Sequence, residues 1–237
     1  MPFNLLIYRI IFLYEKTIYA KAAKNYYSVQ PEVIIVDVGA IILAGGQSKR
    51  MGTNKALLRI EGKYNIVRMK EALQLMFEEI ILVTNQEQQY KFLEIPIVPD
   101  LVDAKGPLAG LQAGLQAAKN DKNVVVACDM PFISTSVTSY LLSQAHGCDA
   151  VVPIIDGKIH PLYAVYSKSA LPIIHSSLKE NQLKVVDVLS RLQVRYIDEK
   201  ELMALEDIDL GKSFFNMNYP MDYEKVKRWV KDKDTNK

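Results

Sequence analysis

The order of strand-like and helix-like segments constrains the fold of this chain more than any other feature of its sequence. From Val33 onward, short runs rich in β-branched residues alternate with longer stretches of helical periodicity. We predict strands at residues 34–43, 79–84, 95–98, 124–128, 149–153 and 162–166. We predict helices at residues 64–77, 108–118, 134–145, 168–178, 184–192 and 221–231. Such alternation favours right-handed βαβ units, and therefore an α/β fold with a mostly parallel sheet between two layers of helices.

The composition is that of an ordinary globular protein with a sizeable core. Of the 237 residues, 49% are hydrophobic and 24% are charged, and 29 basic residues against 27 acidic ones leave a net charge of +2. A nucleic-acid-binding protein usually carries a clear basic excess, so this balance argues against one. It does not exclude a small anionic substrate, because a phosphate site needs only a few local donors.

The two cysteines, Cys128 and Cys148, are too few for a disulfide scaffold. Together with the three histidines they form no zinc-binding pattern. Both lie in apolar, strand-like segments, and we predict small buried hydrophobic residues rather than reactive groups. This use of cysteine suits a reducing compartment, which predicts a cytoplasmic protein.

Three regions follow from the distribution of motifs and charge along the chain. Residues 1–37 carry none of the motifs described below and form an N-terminal extension of unknown role. Its apolar stretch from Pro2 to Tyr14 is interrupted by Arg9 and is shorter than the roughly 20 residues that a membrane span needs, so no membrane is expected. We predict one domain at 38–230 and a disordered Lys/Asp-rich tail at 231–237.

A glycine-rich loop follows the first predicted strand and is a candidate phosphate site. It covers residues 43–55, with the sequence LAGGQSKRMGTNK. Ligands of open α/β sheets bind outside the carboxyl ends of the strands, and glycines allow backbone N–H groups to approach a phosphate closely. Arg50 and Lys55 add positive charge to this loop. The loop has neither the Walker pattern nor the GxGxxG dinucleotide pattern, and the alternative is a purely structural turn.

Asp129 directly follows the apolar run of residues 124–128. A carboxylate after a buried strand lies at the ligand-binding edge of the sheet, and Mg²⁺ takes one or two carboxylates together with substrate phosphates. The alternative is that Asp129 caps the next helix, but Ser134 is better placed for that role. We therefore predict Asp129 as a Mg²⁺ ligand.

Asp100 ends another short strand and precedes the GPLAG segment at 106–110. The start of this segment suits a turn into a helix. Gly110 and Gly114, four residues apart, suit either close packing of that helix or the close approach of a nucleotide. A structural helix start and a base pocket are both open from these residues alone.

Together these segments resemble the molybdenum cofactor guanylyltransferases, which are nucleotidyltransferases with a three-layer Rossmann-like fold. The resemblance extends from Val38 to Val230 and rests on four motifs in the family's order. They are LAGGxSxRMGxxK at 43–55, GPLAG at 106–110, CDMP at 128–131 and NxNxP at 216–220.

The resemblance implies contacts to the nucleotide at four positions outside the catalytic set. Leu43, Ala44 and Gly45 match the family's loop contacts to GTP, and Asp100 matches an aspartate that contacts the nucleotide. The family also has an asparagine after its second strand, for which Asn85 is the nearest candidate.

The catalytic set implied by the resemblance is Lys55, Asp129 and Arg50. Lys55 matches the family's lysine on the nucleotide phosphates, and Asp129 matches the aspartate that binds both GTP and Mg²⁺. His160–Pro161 and Asn216–Asn218 resemble segments on the acceptor side of the cleft.

The implied reaction is transfer of GMP from GTP to the phosphate of the molybdopterin (molybdenum) cofactor, with Mg²⁺ as the metal and pyrophosphate as the other product. Transient contact with molybdoenzymes or other cofactor-biosynthesis proteins is implied as well. We expect GTP because Gly45 stands where related cytidylyltransferases usually have alanine, and because GPLAG also places small residues near the nucleotide. The alternatives are a related cytidylyltransferase acting on the same cofactor and a non-catalytic nucleotide-binding module.

Overall fold

A central eight-stranded sheet and a small hairpin make up the β-structure of the described residues. The computed structural model describes residues 38–45, 51–100, 106–205 and 208–234, with side chains up to Lys231. The strands are β1 (Val38–Leu43), β2 (Arg59–Ile60), β3 (Lys63–Tyr64), β4 (Ile80–Val83), β5 (Ile97–Val98), β6 (Lys122–Ala127), β7 (Ala150–Ile155), β8 (Lys158–Ile159), β9 (Tyr163–Ser167) and β10 (Val194–Asp198). Strands β2 and β3 form the separate hairpin.

The large sheet is mostly parallel. Its strand order is β10–β7–β9–β6–β1–β4–β5, and the short β8 lies beside β7. Parallel pairs join β1 to β4 and β6, β4 to β5, and β7 to β10. Strand β9 runs antiparallel to its neighbours β6 and β7. The predicted α/β fold with a mostly parallel sheet is confirmed.

Helices cover both faces of the sheet. They are α1 (Asn65–Gln74), α2 (Glu87–Tyr90), α3 (Gly106–Ala117), α4 (Thr135–Ser143), α5 (Leu171–Lys179), α6 (Val185–Leu189), α7 (Glu199–Met203), α8 (Leu210–Ser213) and α9 (Pro220–Asp234). Ile42 and Leu82 pack in one core with α1, α4, α7 and α8. The neighbouring residues Ile41 and Val83 face the other way and pack with α3, α5 and α6. The alternation arises because successive side chains of a strand point to opposite faces, and it produces the predicted three layers.

Helix α3 lies unusually close to the sheet because of a glycine. A Cβ atom at Gly114 would lie 2.5 Å from Cγ2 of Ile41 and 3.1 Å from Cγ2 of Val83. Of the two uses that the sequence left open for this glycine, close packing is the one seen here.

Helix α9 packs on the β2–β3 hairpin and encloses a small third core. Its buried residues Val226 and Val230 cluster with Ile60 and Met217. The chain just before α9 is thereby held close to the residues that follow the glycine-rich loop.

The structure differs from the sequence prediction mainly in short or edge elements. The hairpin, β8, β10 and the one-turn helices α2, α7 and α8 are absent from that prediction. Strand β10 lies at the sheet edge and fully buries only Ile197, so it lacks the continuous apolar run that marks the central strands. Helix α9 extends to Asp234, so residues 231–234 of the tail that was predicted to be disordered are helical.

Parts of three predictions lie outside the described residues. They are the N-terminal extension at 1–37, the start of the predicted first strand at 34–37, and the last tail residues, 235–237. Among the described residues, no helix has the length and apolar character that crossing a membrane requires.

Candidate active site

The candidate site lies where four parallel strands, β1, β4, β5 and β6, end in register. Leu43, the last residue of β1, pairs with Val83 of β4 on one side and with Ala127 of β6 on the other. Val83 in turn pairs with Val98 of β5. The segments that follow these strands therefore meet at one edge of the sheet, as expected for a ligand site in such a fold.

Lys55 is the last residue of the glycine-rich loop and begins a single 3₁₀ turn, Lys55–Leu57. Its Nζ donates a hydrogen bond to Oδ1 of Asn218 at 2.7 Å and lies 3.5 Å from Oδ2 of Asp129. The side chains of Lys55 and Asp129 are 13% and 25% exposed, so the ion pair is partly screened from water but still reachable from the cleft. The structure thus brings together three residues that are far apart in the sequence.

Asp129 is held by backbone and side-chain contacts on both sides. The backbone N–H of Cys128 donates to the carbonyl of Leu43 at 3.0 Å, which extends the β1–β6 pairing by one residue. The side-chain amide of Asn65, at the start of α1, donates to the carbonyl of Cys128 at 2.8 Å. The N–H of Met217 donates to the carbonyl of Asp129 at 2.8 Å.

Burial raises the pKa of the Asp129 carboxyl above its ordinary value, and the nearby Lys55 only partly offsets this effect. The negative charge of Asp129 is therefore not fully compensated in the protein alone. A single carboxylate of this kind fits a Mg²⁺ ion that takes its other ligands from substrate phosphates and water. Within the described residues, no group of three or more His, Cys, Asp and Glu side chains could hold a metal without such help.

Asn218 belongs to the C-terminal segment that the sequence assigned to the acceptor side. Asp222, in the first turn of α9, accepts hydrogen bonds from the backbone N–H groups of Asn218 and Tyr219, both at 2.8 Å. These contacts fix the segment at the start of the helix. The motif was recognised in the sequence, but its contact with Lys55 spans 163 positions and could not be predicted from spacing.

Asp100 lies beside the end of β1 and the start of α3. Its backbone N–H donates to Oδ1 of Asn85 at 2.8 Å, so Asn85 is adjacent to the predicted nucleotide contact. A Cβ atom at Gly110 would lie 3.1 Å from Oδ1 of Asp100, and one at Gly45 would lie 3.6 Å from Oδ2. The lack of a side chain at Gly110 thus allows the Asp100 carboxylate to approach α3, while a base pocket at this point stays a prediction.

Two of the other predicted nucleotide contacts are buried, Leu43 as the last residue of β1 and Ala44 directly after it, and Gly45 is exposed. The N–H of Ala44 donates to the carbonyl of Val83 at 2.9 Å. Arg50, the third predicted catalytic residue, lies outside the described residues, as do 46–49 of the same loop.

The cysteines and histidines that the structure describes offer no activated nucleophile near Lys55. Burial raises the pKa of the Cys128 thiol to about 12, so it stays protonated at neutral pH. Burial lowers the pKa of His160, whose ring packs against Phe214 with the ring centroids 4.9 Å apart. Both cysteines are partly exposed, whereas the sequence predicted buried side chains.

Two hydrogen bonds of Asn54, the residue before Lys55, were not predicted from the sequence. Asn54 accepts a hydrogen bond from the N–H of Ala56, and its side-chain amide donates to the hydroxyl of Tyr90 at 2.9 Å. An asparagine just before a helical turn is a recognisable cap. Nothing in the sequence indicated Tyr90, which lies 36 positions away.

The chain matches a protein-family model and several known proteins. Residues 40–194 match the family model described as a MobA-like NTP transferase domain. A probable molybdenum cofactor guanylyltransferase from Pelotomaculum thermopropionicum is 41% identical over 187 residues, which cover 79% of this chain and 90% of that protein. A molybdenum cofactor guanylyltransferase from Desulfosudis oleivorans is 34% identical over 196 residues, covering 82% and 96%.

Solved structures share the same fold. The molybdopterin-guanine dinucleotide biosynthesis protein A from Archaeoglobus fulgidus superposes with a TM-score of 0.72 at 28% identity, covering 82% of this chain and 99% of that one. The 2-C-methyl-D-erythritol 4-phosphate cytidylyltransferase from Thermus thermophilus has a TM-score of 0.61 at 13% identity, covering 82% and 99%. The second likeness concerns the fold alone.

Proposed function

We propose that the chain transfers GMP from GTP to the phosphate of the molybdenum pterin cofactor, because it belongs to the family of MobA-like NTP transferases. Its relatives support a nucleotidyltransferase role in molybdenum cofactor biosynthesis. The proposed products are the molybdopterin guanine dinucleotide cofactor and pyrophosphate. The cytoplasm is the predicted compartment.

One observation carries the proposal. At the carboxyl edge of a parallel sheet, Lys55 and Asp129 form a partly buried ion pair beside a segment that ends in Asn218. A non-catalytic binding module has no need of a buried carboxylate whose negative charge the neighbouring Lys55 only partly neutralises. Perturbed carboxylates beside a cation in a cleft are characteristic of catalytic sites.

The chemistry that these residues must perform follows from charge. An oxygen of the acceptor phosphate forms a bond to the α-phosphorus of GTP, and the bond from that phosphorus to the bridging oxygen breaks, so pyrophosphate leaves with the electron pair. The acceptor phosphate is already anionic at neutral pH, and no strong general base is needed. The obstacle is repulsion between anions, and the protein's task is positioning and neutralisation.

Lys55 places a positive charge where the departing pyrophosphate or the α-phosphate gains negative charge. Its amine is directed by two neighbours, Asn218 and Asp129, so the charge is fixed before the substrate arrives. Asp129 would hold Mg²⁺, which when bound neutralises phosphate charge and orients the phosphates. Arg50 and the loop N–H groups are proposed to complete the phosphate site.

A donor competition tests the proposal. Purified protein is supplied with molybdopterin, Mg²⁺ and an equimolar mixture of GTP, CTP and ATP, and both pyrophosphate and the dinucleotide product are followed. We expect GTP to be used in clear preference, because a site that pairs the polar edge of guanine leaves its groups unpaired with other bases.

Each other outcome points elsewhere. A clear CTP preference would assign the chain to a cytidylyltransferase acting on the same cofactor. Nucleotide binding without pyrophosphate release would identify a non-catalytic module. Equal use of all three donors would leave a nucleotidyltransferase without base selection and would contradict the assignment to GTP.

A further inference from the structure

We propose that Tyr90 is a positioning residue that holds Lys55 in its working place through Asn54. The inference rests on the proposed function, because it concerns the geometry of the lysine that would neutralise phosphate charge. It adds a residue from a different element, the short helix α2, to the machinery around the cleft.

The first link joins Lys55 to Asn54. Lys55 lies on one isolated 3₁₀ turn, whose single turn of hydrogen bonds gives it little stability of its own. Oδ1 of Asn54 accepts a hydrogen bond from the N–H of Ala56 at 3.1 Å, which caps this turn. Ala56, the middle residue of this turn, is fully buried. The orientation of the Asn54 side chain therefore helps decide where the Lys55 backbone lies.

The second link joins Asn54 to Tyr90. Nδ2 of Asn54 donates to the Tyr90 hydroxyl at 2.9 Å, and that hydroxyl donates to Oδ1 of Asn54 at 3.2 Å. Tyr90 is 0% exposed, and burial raises the pKa of its phenol, so the hydroxyl remains protonated and able to donate. A buried hydroxyl that loses its partner carries a free-energy cost, so the two side chains hold each other in one arrangement.

A second hydrogen-bond partner of Asn54, Gln89, restrains the Asn54 side chain less than Tyr90 does. Its Nδ2 also donates to Oε1 of Gln89 at 3.3 Å, but this contact is exposed and competes with water. Of these two anchors, the buried Tyr90 is the one that fixes the rotamer. Because small displacements of a charged group reduce the rate of transfer strongly, the arrangement matters for turnover rather than for the fold.

The experiment removes the Tyr90 hydroxyl alone. In Tyr90→Phe we expect kcat for pyrophosphate release to fall roughly tenfold, which is the lower end of the loss seen when the outer hydrogen-bond partners of metal ligands are removed. The KM for the acceptor should not change. The backbone amide of Ala56 should exchange with solvent faster, measured by NMR on the ligand-free protein. Tyr140→Phe is the control, because it removes the same atom from a hydrogen bond to Glu201, in helix α7.

A double-mutant cycle then tests the route of the effect. If Tyr90 acts through Asn54, Tyr90→Phe has no further effect on kcat once Asn54→Ala is present. The same holds in the background of Lys55→Ala. Full independence, with the two losses multiplying, would overturn the proposal, as would Tyr90→Phe with unchanged kcat and unchanged Ala56 exchange.

One result separates this inference from the proposed function. The Ala56 exchange rate needs no substrate, so it tests the Tyr90–Asn54 link even if wild-type protein turns over no GTP. Should Tyr90→Phe lower the melting temperature, Asn54→Ala tests the same link from the less buried partner. The same fall in kcat at unchanged melting temperature would support the proposal, and wild-type kcat would contradict it.

Discussion

At Asp129, the stability of the fold opposes the function that we propose for this residue. Burial makes the charged carboxylate costly, and its neighbour Lys55 returns only part of that cost. A carboxylate in this condition is useful to a site that must attract a cation and a polyphosphate together.

We expect Asp129→Asn to abolish Mg²⁺-dependent turnover while the fold survives. Asparagine has a similar shape but lacks the negative charge that holds a hard cation. The measurement is a Mg²⁺ titration of pyrophosphate release, with the melting temperature of the variant as the control for folding. An activation curve identical to that of the wild type would show that Asp129 has a structural role only.

The same residue predicts a pH dependence of stability in the absence of substrate and metal. Because the folded-state pKa of Asp129 lies above its ordinary value of 3.8, the folded protein holds this proton more tightly than the unfolded chain does. The free energy of unfolding of the wild type, compared with that of Asp129→Asn, should fall as pH rises from 3.8 through the raised pKa, and then level off. Denaturant titrations of both proteins across this range would reveal the difference, and a difference that rises with pH would contradict it.

At the level of elements, the approach of helix α3 to the sheet depends on Gly114. Alanine favours a helix over glycine by about 1 kcal/mol. A Cβ there would lie only 2.5 Å from the fully buried Ile41, and overpacking of a core typically costs about 1–3 kcal/mol. We expect Gly114→Ala to lower the free energy of unfolding on balance, as measured by denaturant titration.

The matched control in the same helix is Gln116→Ala. This side chain is exposed, so its replacement should change stability by no more than about 0.5 kcal/mol. A Gly114→Ala protein at least as stable as the wild type would show that the helix can move away from the sheet without penalty.

At the level of the whole molecule, we expect residues 1–37 to be dispensable for catalysis. The described site residues begin at Leu43, and the parallel pairing of β1 with β4 begins at Ala40. A chain that begins at Gly39 should be soluble and should match the kcat of the full chain. Aggregation or loss of activity would indicate that the N-terminal extension contributes to the domain or to its location.

The sequence by itself determined the layered α/β architecture and the edge of the sheet at which we propose that ligands bind. Runs such as VVVA in β6 are buried on both faces, so they can only be central strands, and parallel strands place their carboxyl ends together. Lys55, Asp100 and Asp129 were predicted as site residues because local motifs carry them, and their roles stay predictions. These inferences depend on residues that are close in the chain.

Only the tertiary structure decided which side chains meet. The contact of Lys55 with Asn218, and the support that Asn54 receives from Tyr90, join segments separated by 163 and 36 positions. No periodicity encodes such contacts, because they depend on how helix α9 packs on the hairpin and how α2 packs beside the turn that begins at Lys55. Edge strand β10 was missed for a related reason: its place is decided by pairing with β7 rather than by its own apolar pattern.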